Sequence, residues 1–188
     1  RQMCIRDRSC PFDQELDLWD VSRVQNMQQM FYENTSFNKT LNDWDVSSVT
    51  NMRRMFEGSV FNLPLNNWDV SNVKNMREMF QRSDFNQPID QWDVSNVEEM
   101  REMFRSANSF NQDISNWNTS SLTTIREMFF GAVAFNNGLP AGVSSTTMNW
   151  DISKVNNLNN VFNDALAFNG NINAVSYTHL RAHETYDH

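Results

Sequence analysis

The stretch Phe85-Asn86-Gln87-Pro88-Ile89-Asp90-Gln91-Trp92-Asp93-Val94-Ser95-Asn96-Val97-Glu98-Glu99-Met100-Arg101-Glu102-Met103-Phe104 decides the fold, because almost every other segment of the chain is a variant of it. Tryptophan stands at positions 19, 44, 68, 92, 117 and 150 and nowhere else, which sets intervals of 25, 24, 24, 25 and 33 residues. A repeat of that length is a unit that cannot bury its apolar face alone, so neighbouring units must stack. The Phe-to-Trp spacing is 7 in the units that start at Phe12, Phe37, Phe61, Phe85 and Phe110, whereas the return from Trp to the next such Phe takes 17 or 18 residues. The first segment therefore has a fixed geometry, and length variation enters a loop just before each Phe-Asn pair.

Within a unit, Ile89, Trp92 and Val94 have the Leu-x-x-Leu-x-Leu spacing of leucine-rich repeats, and the alternation around Trp92 and Val94 suits a short strand. Met100, Met103 and Phe104 stand at i, i+3 and i+4, as do Met27/Met30/Phe31, Met52/Met55/Phe56, Met76/Met79/Phe80 and Ile125/Met128/Phe129. That spacing predicts one face of a short helix. Asn26-x-x-Gln29, Asn75-x-x-Glu78 and Thr124-x-x-Glu127 read as capping boxes at its start, with Glu99 a poorer cap in the central unit. The expected fold is thus an α/β repeat solenoid of leucine-rich-repeat type. Each turn contributes one short strand and one short helix, with a parallel sheet along one face. Trp19, Trp44, Trp68, Trp92, Trp117 and Trp150 are assigned to its structural core.

Residues 1–8 and 176–188 continue no phase of the repeat. They resemble translated sequencing-adaptor fragments and are expected to be non-native segments outside the fold. The solenoid is assigned to residues 9–175, opening in mid-unit at Phe12, so that an upstream neighbour is expected. An inserted loop at about 137–147 carries Gly138-Leu139-Pro140-Ala141-Gly142, and the units after it decay in regularity.

Charge narrows the function. With 23 acidic and 15 basic residues the net charge is −8, which opposes sequence-independent binding to nucleic acid or anionic lipid. No run approaches the ~18 apolar residues needed to cross a bilayer, so no membrane insertion is expected of this segment. His179, His183 and His188 all fall in the terminal segment 176–188, and Cys4 and Cys10 precede the first full unit. The repeats thus lack the base that Cys or Ser nucleophiles require, and lack a Cys/His zinc set. Catalytic, cofactor-binding and metal residues are therefore assigned to none, and an enzyme is the third choice of function.

Trp-Asp-Val-Ser-Asn-Val at 68–73, which recurs at 92–97, is followed by Asn-Met-x-x-Met-Phe at 75–80 and then by Phe-Asn-Gln at 85–87. Together they resemble the BspA-like leucine-rich repeat surface proteins, over about residues 9–175. The resemblance implies a solenoid displayed at the cell surface or secreted, used for adhesion or protein contacts. Asn118-Thr119, Thr124-Ile125 and the inserted loop depart from its pattern.

Asp20, Asp45, Asp69, Asp93, Asn118 and Asp151 form a column directly after the tryptophans. Neighbouring carboxylates at a strand spacing of about 4.8 Å repel, so the column needs compensation. Asp two residues before Ser offers it as an Asx turn on a backbone N–H. The alternative is a face that holds cations or a basic ligand, and the five aspartates are the candidate binding face. Asn38, Asn62, Asn86, Asn111, Asn136 and Asn169 form a second column, read as a structural ladder. Arg53, Arg77, Arg101 and Arg126, beside Arg54, Glu78, Glu102 and Glu127, read as a solvated, salt-bridged face. The expected function is a non-catalytic binding or adhesion module for a protein or glycan partner, monomeric and without cofactor. The alternative is a structural spacer in a larger surface protein.

Overall fold

Residues 51–59 show how the repeat becomes structure, because the destination of each N–H group can be followed. The N–H groups of Met52, Arg54, Phe56 and Gly58 donate to the carbonyls of Asn75, Arg77, Met79 and Gln81 in the next repeat, at 2.7–2.9 Å. Those of Met55, Glu57 and Ser59 donate to the carbonyls of Met52, Arg54 and Phe56, three residues back, at 3.1–3.3 Å. The Arg53 N–H donates to the Oδ1 of the Asn51 carboxamide at 3.0 Å. Every donor from 52 to 59 is used, and none is left for the i−4 carbonyl of an α-helix.

The alternation requires two residues per turn in the left-handed region. The pairs are Gln29 and Glu33, Arg54 and Gly58, Glu78 and Arg82, Glu102 and Ser106, Glu127 and Gly131, and Asn160 and Asp164, with φ between 51° and 67°. Only Gly58 and Gly131 are free of the Cβ penalty there.

The structure, a computed structural model, describes residues 12–143 and 147–170. Among them there is no α-helix, and sheet-type pairing between repeats reduces to five single-residue parallel bridges linking Asn26, Asn51, Asn75, Glu99, Thr124 and Asn157. The α/β solenoid of leucine-rich-repeat type, with its strand, helix and parallel sheet, is therefore not the fold. The i, i+3, i+4 spacing arises here from chained turns, which also bring Met52, Met55 and Phe56 to one side. The capping boxes fail for the same reason: the Asn75 Oδ1 accepts from Arg77, two residues on, and Glu78 has φ 58°. The strand is replaced by turns as well, with the Trp92 N–H on the Ile89 carbonyl at 3.2 Å and the Val97 N–H on the Val94 carbonyl at 2.9 Å.

Aromatic rings in columns fill the interior. Phe31, Phe56, Phe80, Phe104, Phe129 and Phe162 stack with centroids 5.3–5.7 Å apart. A second Phe column runs alongside, and the two meet within each turn, as in Phe80 with Phe85 at 4.1 Å. Trp44, Trp68, Trp92, Trp117 and Trp150 are buried, and each indole N–H donates to a Leu or Ile carbonyl of the preceding repeat at 2.8–3.1 Å. Trp19 differs, being 39% exposed beside the exposed Leu18. The Asn column ties the turns together: the Oδ1 atoms of Asn38, Asn62, Asn86, Asn111 and Asn136 accept the backbone N–H of the next Asn at 2.8–3.1 Å.

The first described part of the inserted loop is clamped by the same column. The Asn136 carboxamide donates to the Pro140 and Val143 carbonyls at 2.8 and 2.9 Å, and that of Asn111 to the Leu139 carbonyl at 2.9 Å. The expectations for residues 1–8 and 176–188, with both cysteines and the three histidines, lie outside the described residues.

Candidate binding face

The aspartate column is built by short Asp-x-Ser turns that leave the core at each tryptophan. Asp20, Asp45, Asp69, Asp93 and Asn118 are exposed and Asp151 is partly exposed. In every one the Oδ1 atom accepts the N–H of the residue two positions on, from Ser22, Ser47, Ser71, Ser95, Ser120 and Ser153, at 2.9–3.2 Å. Ser22 and Ser47 also donate their hydroxyls to Asp20 and Asp45 at 2.6 Å. The serine hydroxyl, then the backbone N–H, hold Asp20, Asp45 and Asp93 below the ordinary aspartate range, while the Ser153 backbone N–H leads at Asp151. Asp20 pushes slightly the other way on Asp45, as a like charge in the neighbouring turn should. The turns thus compensate one oxygen of each acid and fix its direction.

Five residues further along each unit, a second exposed row is varied. Gln25, Thr50, Lys74, Glu98 and Thr123 are all exposed and occupy one equivalent position. Thr50 and Thr123 donate their hydroxyls to the Gln25 and Glu98 carbonyls, at 3.2 and 2.9 Å, and Lys74 lies 3.8 Å from Glu98. The first row is nearly identical along the stack while the second changes in size and charge.

The Arg/Glu ridge is not the solvated face that its composition suggests. Glu78 is 2% exposed, and Glu57, Glu102 and Glu127 are also buried. Arg77, Arg101 and Arg126 each bond the following glutamate at 2.7–2.8 Å, and Arg105 spans Glu102 and Glu127 at 3.1 and 2.7 Å. In the second described turn the pair is Arg53-Arg54 instead, so Arg54 reaches Glu78 in the next turn and Glu57 in its own. Burial raises Glu57 above the usual carboxylate range despite Arg54 and Arg82, which bonds it at 2.9 Å. Burial acts on Glu78 too, but the bonds from Arg54 and Arg77 outweigh it and the carboxyl is lowered. Sequence reading placed these glutamates outward because a helix would put them there. The left-handed φ of Glu78, Glu102 and Glu127 turns them along the stack instead.

At Gly58 the ridge surface opens. Gly58 leaves a shallow groove of about 370 Å³ lined by Glu33, Thr35 and Arg82, across which Arg82 lies 3.6 Å from Glu33. No group of three or more His, Cys, Asp or Glu able to hold a metal ion occurs among the described residues. No helix there is long and apolar enough to cross a membrane.

A profile of the family described as Mycoplasma protein of unknown function, DUF285, matches residues 3–89 and, overlapping, 59–174. The protein belongs to that family. No curated protein and no solved structure matches it.

Proposed function

We propose that this member of the DUF285 family is a non-catalytic binding module, displayed at a cell surface or secreted, whose Asp20, Asp45, Asp69, Asp93 and Asp151 row meets a protein or glycan partner. The observation that carries the reading is the presence of two exposed rows: a constant acidic one held by its own Asx turns, and a varied one five residues further along each unit. A rigid row lowers the entropy lost when a partner is bound, and a varied row supplies selectivity. The fixed Oδ1 atoms leave the second carboxylate oxygen to accept from a sugar hydroxyl or a basic side chain. Partner choice by electrostatics then favours a neutral or basic surface over an acidic one.

The test is binding of the whole protein to an array of neutral and acidic glycans and to an oligo-lysine peptide, alongside Asp45→Asn/Asp69→Asn/Asp93→Asn. The triple variant keeps the Oδ1 acceptors and should remain folded while losing binding to whichever probe the parent retains. Binding unchanged in the variant, or none by the parent to any probe, overturns the reading and favours a spacer.

A further inference from the structure

The sequence contains two Asn-Gly pairs, Asn137-Gly138 and Asn169-Gly170, and the fold treats them differently. Asn-Gly is the dipeptide in which a backbone nitrogen most readily attacks the preceding side chain, because glycine puts no Cβ beside it. At Asn137 both reacting groups are engaged. The carboxamide is buried and its Oδ1 accepts the Ile114 N–H at 3.0 Å, while the Gly138 N–H, the would-be nucleophile, donates to the Asn111 Oδ1 at 3.0 Å. At Asn169 the backbone N–H is held by the Asn136 Oδ1 at 3.1 Å. The residue is exposed, and neither its carboxamide nor the Gly170 N–H has a hydrogen-bond partner among the described residues.

We propose that Asn169 is a deamidation and isomerisation site, and that the column which shields Asn137 leaves Asn169 open. The Gly170 nitrogen gives up its proton to water and attacks the Asn169 Cγ. A bond forms between that nitrogen and Cγ, the Cγ–Nδ2 bond breaks, and ammonia leaves with a succinimide behind. One water then opens the ring at either carbonyl, giving aspartate or isoaspartate. The balance is amide plus water to carboxylic acid plus ammonia, with no oxidation or reduction. The product places an anion in the last described member of the Asn column, and in the isoaspartate form the backbone is one carbon longer after it.

Freeing the reacting groups at Asn137 requires two hydrogen bonds to open first, which slows that site roughly 5- to 150-fold relative to Asn169. The experiment is incubation of the folded protein at neutral to mildly alkaline pH, followed by peptide mapping with mass spectrometry at intervals. The protein unfolded in urea and the variant Gly170→Ala are run in parallel. The expected result is acid at 169 well ahead of 137 in the folded protein, similar rates at both once unfolded, and slowing at 169 alone in Gly170→Ala. Equal rates in the folded protein, an Asn169 that stays intact, or the same ratio in urea would each overturn the proposal.

Discussion

Replacing Ser106 by glycine separates the observed backbone from the helical one that the side-chain spacing suggests. Ser106 has φ 53° and its N–H donates to the Phe130 carbonyl at 2.7 Å, while its partly exposed hydroxyl has no hydrogen-bond partner among the described residues. At the equivalent place in other turns stand Gly58 and Gly131. A side chain in the left-handed region costs roughly 1–2 kcal/mol, and glycine gives back about 0.5–1 kcal/mol of that gain through the greater entropy of its unfolded state. Ser106→Gly should therefore stabilise by about 0.5–1 kcal/mol, a rise in Tm of roughly 1–4 °C for a protein of this size. A helix interior would give the opposite sign, a loss of up to about 1 kcal/mol. Urea unfolding measures this directly, with the m-value checked for constancy. A destabilised Ser106→Gly would refute the left-handed assignment and with it the alternation of bonds on which the fold description rests.

Other consequences follow from the same geometry. Gly131→Ala should cost roughly 1–2 kcal/mol, since it reintroduces the left-handed penalty and its Cβ would lie 3.3 Å from the Ser106 hydroxyl, and a melt checks it. Trp92→Ala removes a ring stacked on Trp68 and the donor to the Leu65 carbonyl, so a loss of about 3–5 kcal/mol by chemical denaturation is expected; an unchanged melt would contradict its burial. The lowered Glu78 contributes stability that is present above the ordinary glutamate pKa and lost as pH falls through its folded value. The raised Glu57 does the reverse, adding stability as pH falls. Glu78→Gln should flatten the acid limb of stability against pH and Glu57→Gln should steepen it, as acid titration of unfolding would show. Millimolar calcium and magnesium at matched ionic strength should give equal Tm values in the parent and in Asp69→Asn, because the Asx turn already compensates the acid; a calcium-selective rise lost in Asp69→Asn would make the column an ion site.

The period and the positions of the large aromatics can be read without coordinates, because a tryptophan or phenylalanine recurring at 24 or 25 residues has few places to go except inward. Asp-x-Ser is likewise a short-range signal, since the side chain reaches an N–H two residues away whatever the distant structure. The turn conformation is different. Of the paired left-handed positions along the ridge only Gly58 and Gly131 carry the residue that advertises it, and Gln29, Arg54, Glu78, Glu102 and Glu127 look like ordinary helix formers. Their strain is offset by bonds to carbonyls of the next repeat, such as the Glu78 N–H on the Arg101 carbonyl at 2.9 Å and the Gln29 N–H on the Arg53 carbonyl at 2.9 Å. A local reading does not see those partners.

The same non-locality decides which part of each turn can face a partner. A buried carboxylate persists only with close cations and hydrogen bonds, and along the ridge those come from adjacent turns as well as from the same one. Arg54 supplies Glu78 across the turn boundary, and this bond pushes the guanidinium still further toward its charged form against the burial that opposes it. Arg82 returns to Glu57, and Arg105 closes on Glu102 and Glu127 together. Each of Glu57, Glu78, Glu102 and Glu127 is held by at least two arginines, so withdrawing one of them to bind an outside anion would leave a buried carboxylate only partly compensated, a cost that surface binding by a single residue must first offset. The exposed aspartates carry no such constraint, because their turns hold only one oxygen of each carboxylate. Recognition is therefore expected on the Asp row and the varied row, while the ridge, with more charge in its sequence, holds successive turns together.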